Sequence, residues 1–148
     1  MKPNTALSSA PCPVARTVDL IGDRWSLLIV RDAFDGMRRF SDFQRSLGMA
    51  RNILTDRLYK LVEAGILARQ EAPDGSAYQH YVLTPQGESL FPVVVALRQW
   101  GEQHLFRSGE PHSQLIDRRT GKPVLPMTVL AKDGSPVSPD DTEVRKVT

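Results

Sequence analysis

Residues 51–70 read RNILTDRLYKLVEAGILARQ, and they fit either an ordinary amphipathic helix that runs into a strand or a helix whose outer face is built to read something. Leu54, Leu58, Leu61 and Val62 recur at the 3.6-residue period that lines one side of a helix, so that side is expected to be buried. Arg51, Asn52, Thr55, Asp56 and Tyr59 fall on the other side, and nearly all of them can donate hydrogen bonds. Gly65 can take the left-handed backbone that stops a helix, and Ile66, Leu67 and Ala68 then open an extended run. One face packs and the opposite face offers polar groups.

Upstream, RRFSDFQRSLG holds Ser41 and Gln44 at the spacing of a capping box, and Gly48 closes that helix after about two turns. Only Met49 and Ala50 then precede the opening stretch. Two short helices joined by a tight turn containing glycine make a helix-turn-helix, in which the second helix reads. Downstream, ILARQEA and YQHYVLT are strand-like and flank PDGS, whose Asp74-Gly75 pair is a strong turn signal. The expected fold is mainly α with a small β-hairpin wing (α+β), a winged helix-turn-helix.

Further out, Pro13 suits a first helical turn, and Val14, Thr17, Val18 and Ile21 follow at helical spacing before Gly22. Cys12 then falls at the N-cap, by the positive end of the helix dipole. Asp23 is placed to cap RWSLLIVRDAF, where Trp25, Leu28, Ile29 and Ala33 predict a broad buried stripe ended by Gly36. Thr84 and Pro85 start a later helix bearing Leu90, Val94, Leu97 and Trp100. Pro92 lacks the N–H that would reach residue 88, so a kink or break is expected there. Residues 107–148 hold five of the eleven prolines, and the turn signals TGKP and KDGSP bracket the strand-like VLPMTVLA. The expected division is a flexible arm over 1–11, a DNA-binding and dimerisation domain over 12–106, and a short extension over 107–148, irregular with a β-hairpin.

With 148 residues, 41% hydrophobic and 24% charged, the chain can bury one moderate core. No apolar run approaches the roughly 18 residues of a membrane span, and MKPNTALSSAPCP lacks the apolar core of a signal peptide, so a soluble cytoplasmic protein is expected. A single cysteine excludes an intrachain disulfide, and His80, His104 and His112 are too scattered for usual zinc spacing, so neither metal nor cofactor is expected. No paired acid and base, nucleophile with histidine, or phosphate-binding glycine loop is present, which speaks against an enzyme. Trp25, Phe34, Phe91 and Trp100 are either core or the lining of a ligand cavity. The net charge of +2 hides an uneven distribution. Residues 38–60 carry Arg38, Arg39, Arg45, Arg51, Arg57 and Lys60 against only Asp42 and Asp56, whereas residues 71–106 carry one cation and four acids.

The run CPVARTVDLIGDRWSLLIVRDAFDGMRRFSDFQRSLGMARNILTDRLYKLVEAGILARQ, followed by YVLTPQGESLFPVVVALRQWGE, resembles the HxlR-type winged-helix transcriptional regulators of bacteria. The resemblance covers about residues 12–106 and rests on the cysteine before the first helix, G-D-R-W-S-L-L-I, R-F-S-D-F, L-T-D-R-L-x-x-L-x-x-A-G-I-L and Y-x-L-T-P-x-G. It implies a homodimer, formed by the first and last helices, that binds an inverted-repeat operator on double-stranded DNA and regulates neighbouring genes; a repressor is expected. Val14, Val18, Val94, Leu97 and Trp100 are the expected interface. It also implies that Cys12 is a candidate redox or electrophile sensor, since some relatives use a cysteine at this place. A small-molecule effector and a winged helix turned to protein contacts are the alternatives.

In this reading Arg51, Asn52 and Thr55 face the major groove, because residues near the start of a recognition helix meet base edges first. Arg38, Arg39, Arg45 and Lys60 lie over phosphates. Arg57 is either one of these or a structural ion-pair partner, and Tyr59 either touches DNA or packs. Ala50 stands where the family often has a capping serine. The wing EAPDGSAYQHY has no arginine, which leaves Ser76, Gln79 and His80 as its DNA-facing candidates. The tail resembles an extension that carries a zinc knuckle in one branch of the family, but without the cysteines.

Overall fold

The computed structural model describes residues 6–147. The expected arm is described only from residue 6, where Leu7–Ser9 form a 3-10 turn. Arg16 ties that segment to the first helix through hydrogen bonds to the carbonyls of Ala10 (2.6 Å) and Ser9 (3.4 Å). The chain forms two compact units that part between Phe91 and Pro92.

The first unit contains α1 (Pro13–Ile21), α2 (Arg24–Phe34), α3 (Phe40–Leu47), α4 (Arg51–Glu63), the antiparallel hairpin β1 (Leu67–Glu71) and β2 (Gln79–Leu83), and α5 (Pro85–Glu88). Leu67 pairs with Leu83 and Glu71 with Gln79, and residues 72–78 form the loop between the strands, in which the Gly75 amide donates to Ala72 O and Gly75 takes the left-handed backbone (φ 75°). The core is Ile29 and Val30 of α2, Phe43 of α3, Leu54, Leu58 and Leu61 of α4, and Ile66 and Leu67 at the hairpin base. Each such side chain contributes about 1.5–3 kcal/mol through its removal from water. On α2 Ser26, Ile29, Val30, Asp32 and Ala33 are buried, while Trp25 and Leu28 are only half-buried. On α1 only Ile21 is buried; Val14 and Val18 are exposed.

The helix ends follow from the residues that occupy them. Cys12 caps α1, its Sγ accepting the Ala15 amide at 3.4 Å, and Asp23 caps α2 through the Ser26 amide at 2.9 Å. The start of α3 differs from the expected Ser41–Gln44 box. The helix begins at Phe40, and Asp42 reaches back to the Arg39 amide at 3.2 Å. An acceptor at the third helical position satisfies the orphan donor there, so the serine is not needed. The Thr84-Pro85-x-Gly87 motif acts as a stitch. The Thr84 hydroxyl bonds the Gly65 carbonyl, its amide bonds Ile66 O at 3.0 Å, and its Oγ1 accepts the Gly87 amide. Any Cβ on buried Gly87 would collide with the Ile66 carbonyl oxygen, which fixes glycine at this position.

The helix expected from Pro85 onward breaks at Ser89–Leu90, and α6 (Phe91–His104) starts with Pro92 in its first turn, where the missing N–H has no partner to lose. The second unit consists of α6 from Pro92 onward and the tail. The hairpin expected in the extension forms, small, at the TGKP signal, while VLPMTVLA itself is not a strand and the KDGSP signal closes only a bridged turn. The hairpin pairs β3 (Ile116–Asp117) with β4 (Lys122–Pro123), and the bridge joins Leu130 to Pro136. The segment between them finds its hydrogen bonds on α6 instead. Gln99 Nε2 donates to Leu125 O at 2.9 Å and Gln99 Oε1 accepts the Met127 amide at 2.7 Å. Arg98 Nη1 likewise bonds the Ser113 carbonyl and hydroxyl. The carboxylates of Asp117 and Asp133 close the two turns by accepting the amides of Arg119 and Ser135. Side-chain hydrogen bonds rather than a core thus organise a tail most of whose residues are exposed.

Candidate nucleic-acid interface

Gly48 ends α3 in the left-handed conformation (φ 64°), its amide bonded to Gln44 O, and the chain re-enters a helix two residues later. This turn sets α4 across α3 with Leu54, Leu58 and Leu61 inward. Arg51, Asn52, Thr55 and Tyr59 are consequently exposed along the opposite side. The N-cap, Ala50, has extended backbone and supplies no side-chain acceptor. The Thr55 hydroxyl donates to Arg51 O at 2.8 Å, which leaves its lone pairs and methyl to face outward. The Arg51 guanidinium lies over the Phe40 ring at 4.8 Å, a cation–π contact that keeps it beside the helix start.

Most of the cations around this face stand next to carboxylates. Arg45 pairs with Asp42 at 3.3 Å, Lys60 with Asp56 at 3.2 Å, and Arg39 with Asp74 of the wing turn at 3.3 Å. Arg57 is held by Asp23 at 3.2 Å and Asp56 at 2.6 Å, so of its two expected roles the structure displays the ion pair. Arg38 is half-buried and donates through Nη1 to the carbonyls of Ala33 and Met37, so it braces the loop before α3 and is the least available of the expected phosphate contacts.

Two carboxyl groups of this region are shifted. Partial burial raises Asp23, but hydrogen bonds from Ser26 and Arg57 together with the Arg57 charge outweigh it and leave the group below its ordinary value. Asp74 is lowered as well, chiefly by the Ser76 amide, with the Arg39 charge adding to it.

Of the wing candidates, Gln79 is exposed, His80 half-exposed, and Ser76 half-buried with its hydroxyl oxygen inside. Sequence reasoning missed Asp74 and Tyr78, which touch Arg39. From the sequence Asp74 reads only as a turn former, and a contact across 35 residues leaves no periodic signal. Phe34 and Phe91 meet at 5.6 Å and line an open cavity of about 460 Å³ with Arg38, Val82, Leu83 and Glu88. Cys12 is exposed. Val14 and Val18 on α1, and Leu97 and Trp100 on α6, are exposed apolar residues, while Val94 is half-buried.

Short helix, glycine turn, outward-facing polar helix and hairpin together define a winged helix-turn-helix protein of the DNA-binding kind. The match of residues 20–108 to the HxlR-like helix-turn-helix model makes the assignment specific: the chain belongs to this family of transcriptional regulators. It is 37% identical over 125 residues to the uncharacterized HTH-type transcriptional regulator Mb3122 of Mycobacterium bovis, covering 84% of this chain and 79% of that one. Among solved structures it is similar to PA1607, presented as a candidate transcription factor, at a TM-score of 0.90 and 51% identity, covering 97% of this chain and all of the other. It is also similar to the redox regulator HypR in its reduced form, at a TM-score of 0.59 and 32% identity, covering 64% of this chain and 94% of that one. No helix among the described residues is long and apolar enough to cross a membrane.

Proposed function

We propose that the protein is a sequence-specific repressor that binds an inverted-repeat operator as a homodimer in the cytoplasm, with Arg51, Asn52 and Thr55 reading bases. The observation that carries this reading is the exposed polar face of α4, set opposite buried Leu54, Leu58 and Leu61. Arginine can pair with guanine O6 and N7, and asparagine with adenine N6 and N7, in the major groove. Arg45 and Lys60 supply phosphate contacts by exchanging their carboxylate partners for DNA. The exposed apolar residues of α1 and α6 supply the dimer contacts, since such patches usually mark interfaces.

Sequencing the genomic fragments retained by the purified protein tests the reading. A shared inverted repeat is expected, and Arg51→Ala or Asn52→Ala should cost about 1–3 kcal/mol on it and little on random DNA, whereas Arg45→Ala weakens both alike. Equal losses on both DNAs for all three variants would show that the readers lie elsewhere.

A second reading adds control through Cys12, favoured by the exposure of this thiol at the start of α1 and by similarity to a protein named as a redox regulator. Operator affinity that is equal for reduced, oxidised and Cys12→Ser protein would leave this residue a structural cap.

A further inference from the structure

The hairpin has no arginine or lysine between Glu71 and Tyr81, yet a wing lying against DNA gains most of its affinity from cations. The structure brings a cation to it from another element. Arg39, the N-cap of α3, extends to the wing turn, where its Nη2 lies 3.3 Å from Asp74 Oδ2 and its guanidinium carbon 5.5 Å from the centre of the Tyr78 ring. The backbones are joined beside it, the Tyr81 amide donating to Arg38 O at 2.7 Å. The two carboxylate oxygens of Asp74 have separate partners. Oδ1 accepts the Ser76 amide at 2.9 Å and closes the turn, and Oδ2 holds Arg39. A guanidinium has five N–H donors in a fixed fork, so a contact through Nη2 leaves Nε and Nη1 for an acceptor on DNA. Tyr78 is two-thirds exposed, so this cluster lies at the surface of the wing.

We propose that Arg39, steadied by Asp74 and Tyr78, is the DNA-contacting cation of the wing and reads the width of the minor groove that flanks the site of α4. The assignment rests on the operator reading above and adds a second mode of readout to it. A·T-rich flanks narrow the minor groove and deepen its negative potential, which favours an inserted arginine without any base-specific hydrogen bond. Asp74 and Tyr78 are positioning residues that act through Arg39.

The test compares two versions of the duplex that the full-length protein selects from genomic fragments, identical in the inverted repeat but with A·T or G·C flanks, by fluorescence anisotropy. Wild-type protein should favour the A·T flanks by several-fold, and Arg39→Ala and Arg39→Lys should bring the ratio close to one. Tyr78→Ala should narrow it. Asp74→Asn, which keeps the acceptor for the Ser76 amide, should raise affinity for both duplexes by removing a negative charge and still narrow the ratio, a combination that a purely structural role would not produce. Placing the arginine on the hairpin itself, with Ala77→Arg added to Arg39→Ala, should restore the preference. An unchanged ratio in Arg39→Ala, or a ratio of one in the wild type, overturns the wing assignment while leaving α4 as reader. A wild-type protein that selects no duplex overturns the operator reading, and this assignment with it.

Discussion

Replacing Asp23 by alanine removes one carboxylate that does two things. Its Oδ2 caps α2 by accepting the Ser26 amide at 2.9 Å, and the same oxygen pairs with Arg57 of α4 at 3.2 Å. A lost N-cap costs about 0.5–2 kcal/mol, and Ser26 is only 3% exposed, so its amide finds little replacement water and the upper half of that range applies. The ion pair contributes less. The Asp23 side chain is 40% exposed and Arg57 keeps Asp56 at 2.6 Å, so roughly 0.5 kcal/mol is lost with it. Asp23→Ala should therefore destabilise by about 1.5–2.5 kcal/mol, read as a fall in urea midpoint at constant slope. Asp23→Asn retains a capping oxygen and should lose only about 0.5 kcal/mol. Because the folded-state pKa lies below the unfolded one, the stabilisation is complete above the ordinary carboxylate value, about 3.9. The part that depends on the charge disappears as the pH falls through the lowered folded value, so wild type should converge on Asp23→Asn in acid and stay above Asp23→Ala. An alanine variant within a few tenths of a kcal/mol of wild type at neutral pH would refute the capping argument, and an asparagine variant as unstable as alanine would assign the effect to the ion pair.

Ala50→Ser should stabilise the first unit by about 1 kcal/mol in the same denaturation experiment, because Ala50 already has the extended N-cap backbone and lacks only the acceptor. If a dimer neutralises about four phosphates net of the carboxylates it must displace, operator affinity should drop roughly a hundredfold or more between 50 and 200 mM salt; a flat salt titration would remove the phosphate assignments. Leu97→Glu should yield monomers by analytical ultracentrifugation that no longer hold the full inverted repeat, since Leu97 is half-exposed on α6; a surviving dimer would place the interface elsewhere.

Much of the first unit was legible in the sequence because its signals are local. The buried line of α4, the caps at Cys12, Asp23 and Thr84, the glycine between α3 and α4 and the Asp-Gly turn each depend on residues within a few positions of one another. Local patterns misjudged α2 and the tail. Periodicity puts Trp25 and Leu28 with Ile29 on one broad stripe, but which edge of that stripe meets α3, α4 and β2 depends on packing that no short window contains. VLPMTVLA has strand composition, yet its backbone partners are the side chain of Gln99 and a turn, both beyond local reach. The availability of the charges was likewise decided only by the tertiary structure. The sequence by itself determined that six cations crowd residues 38–60, and the fold decided that Arg38 braces a loop, Arg57 binds the cap of α2 and Arg39 crosses to the wing. Composition sets how much charge a segment carries, whereas an ion pair forms only where folding brings groups distant in the chain within about 4 Å of each other.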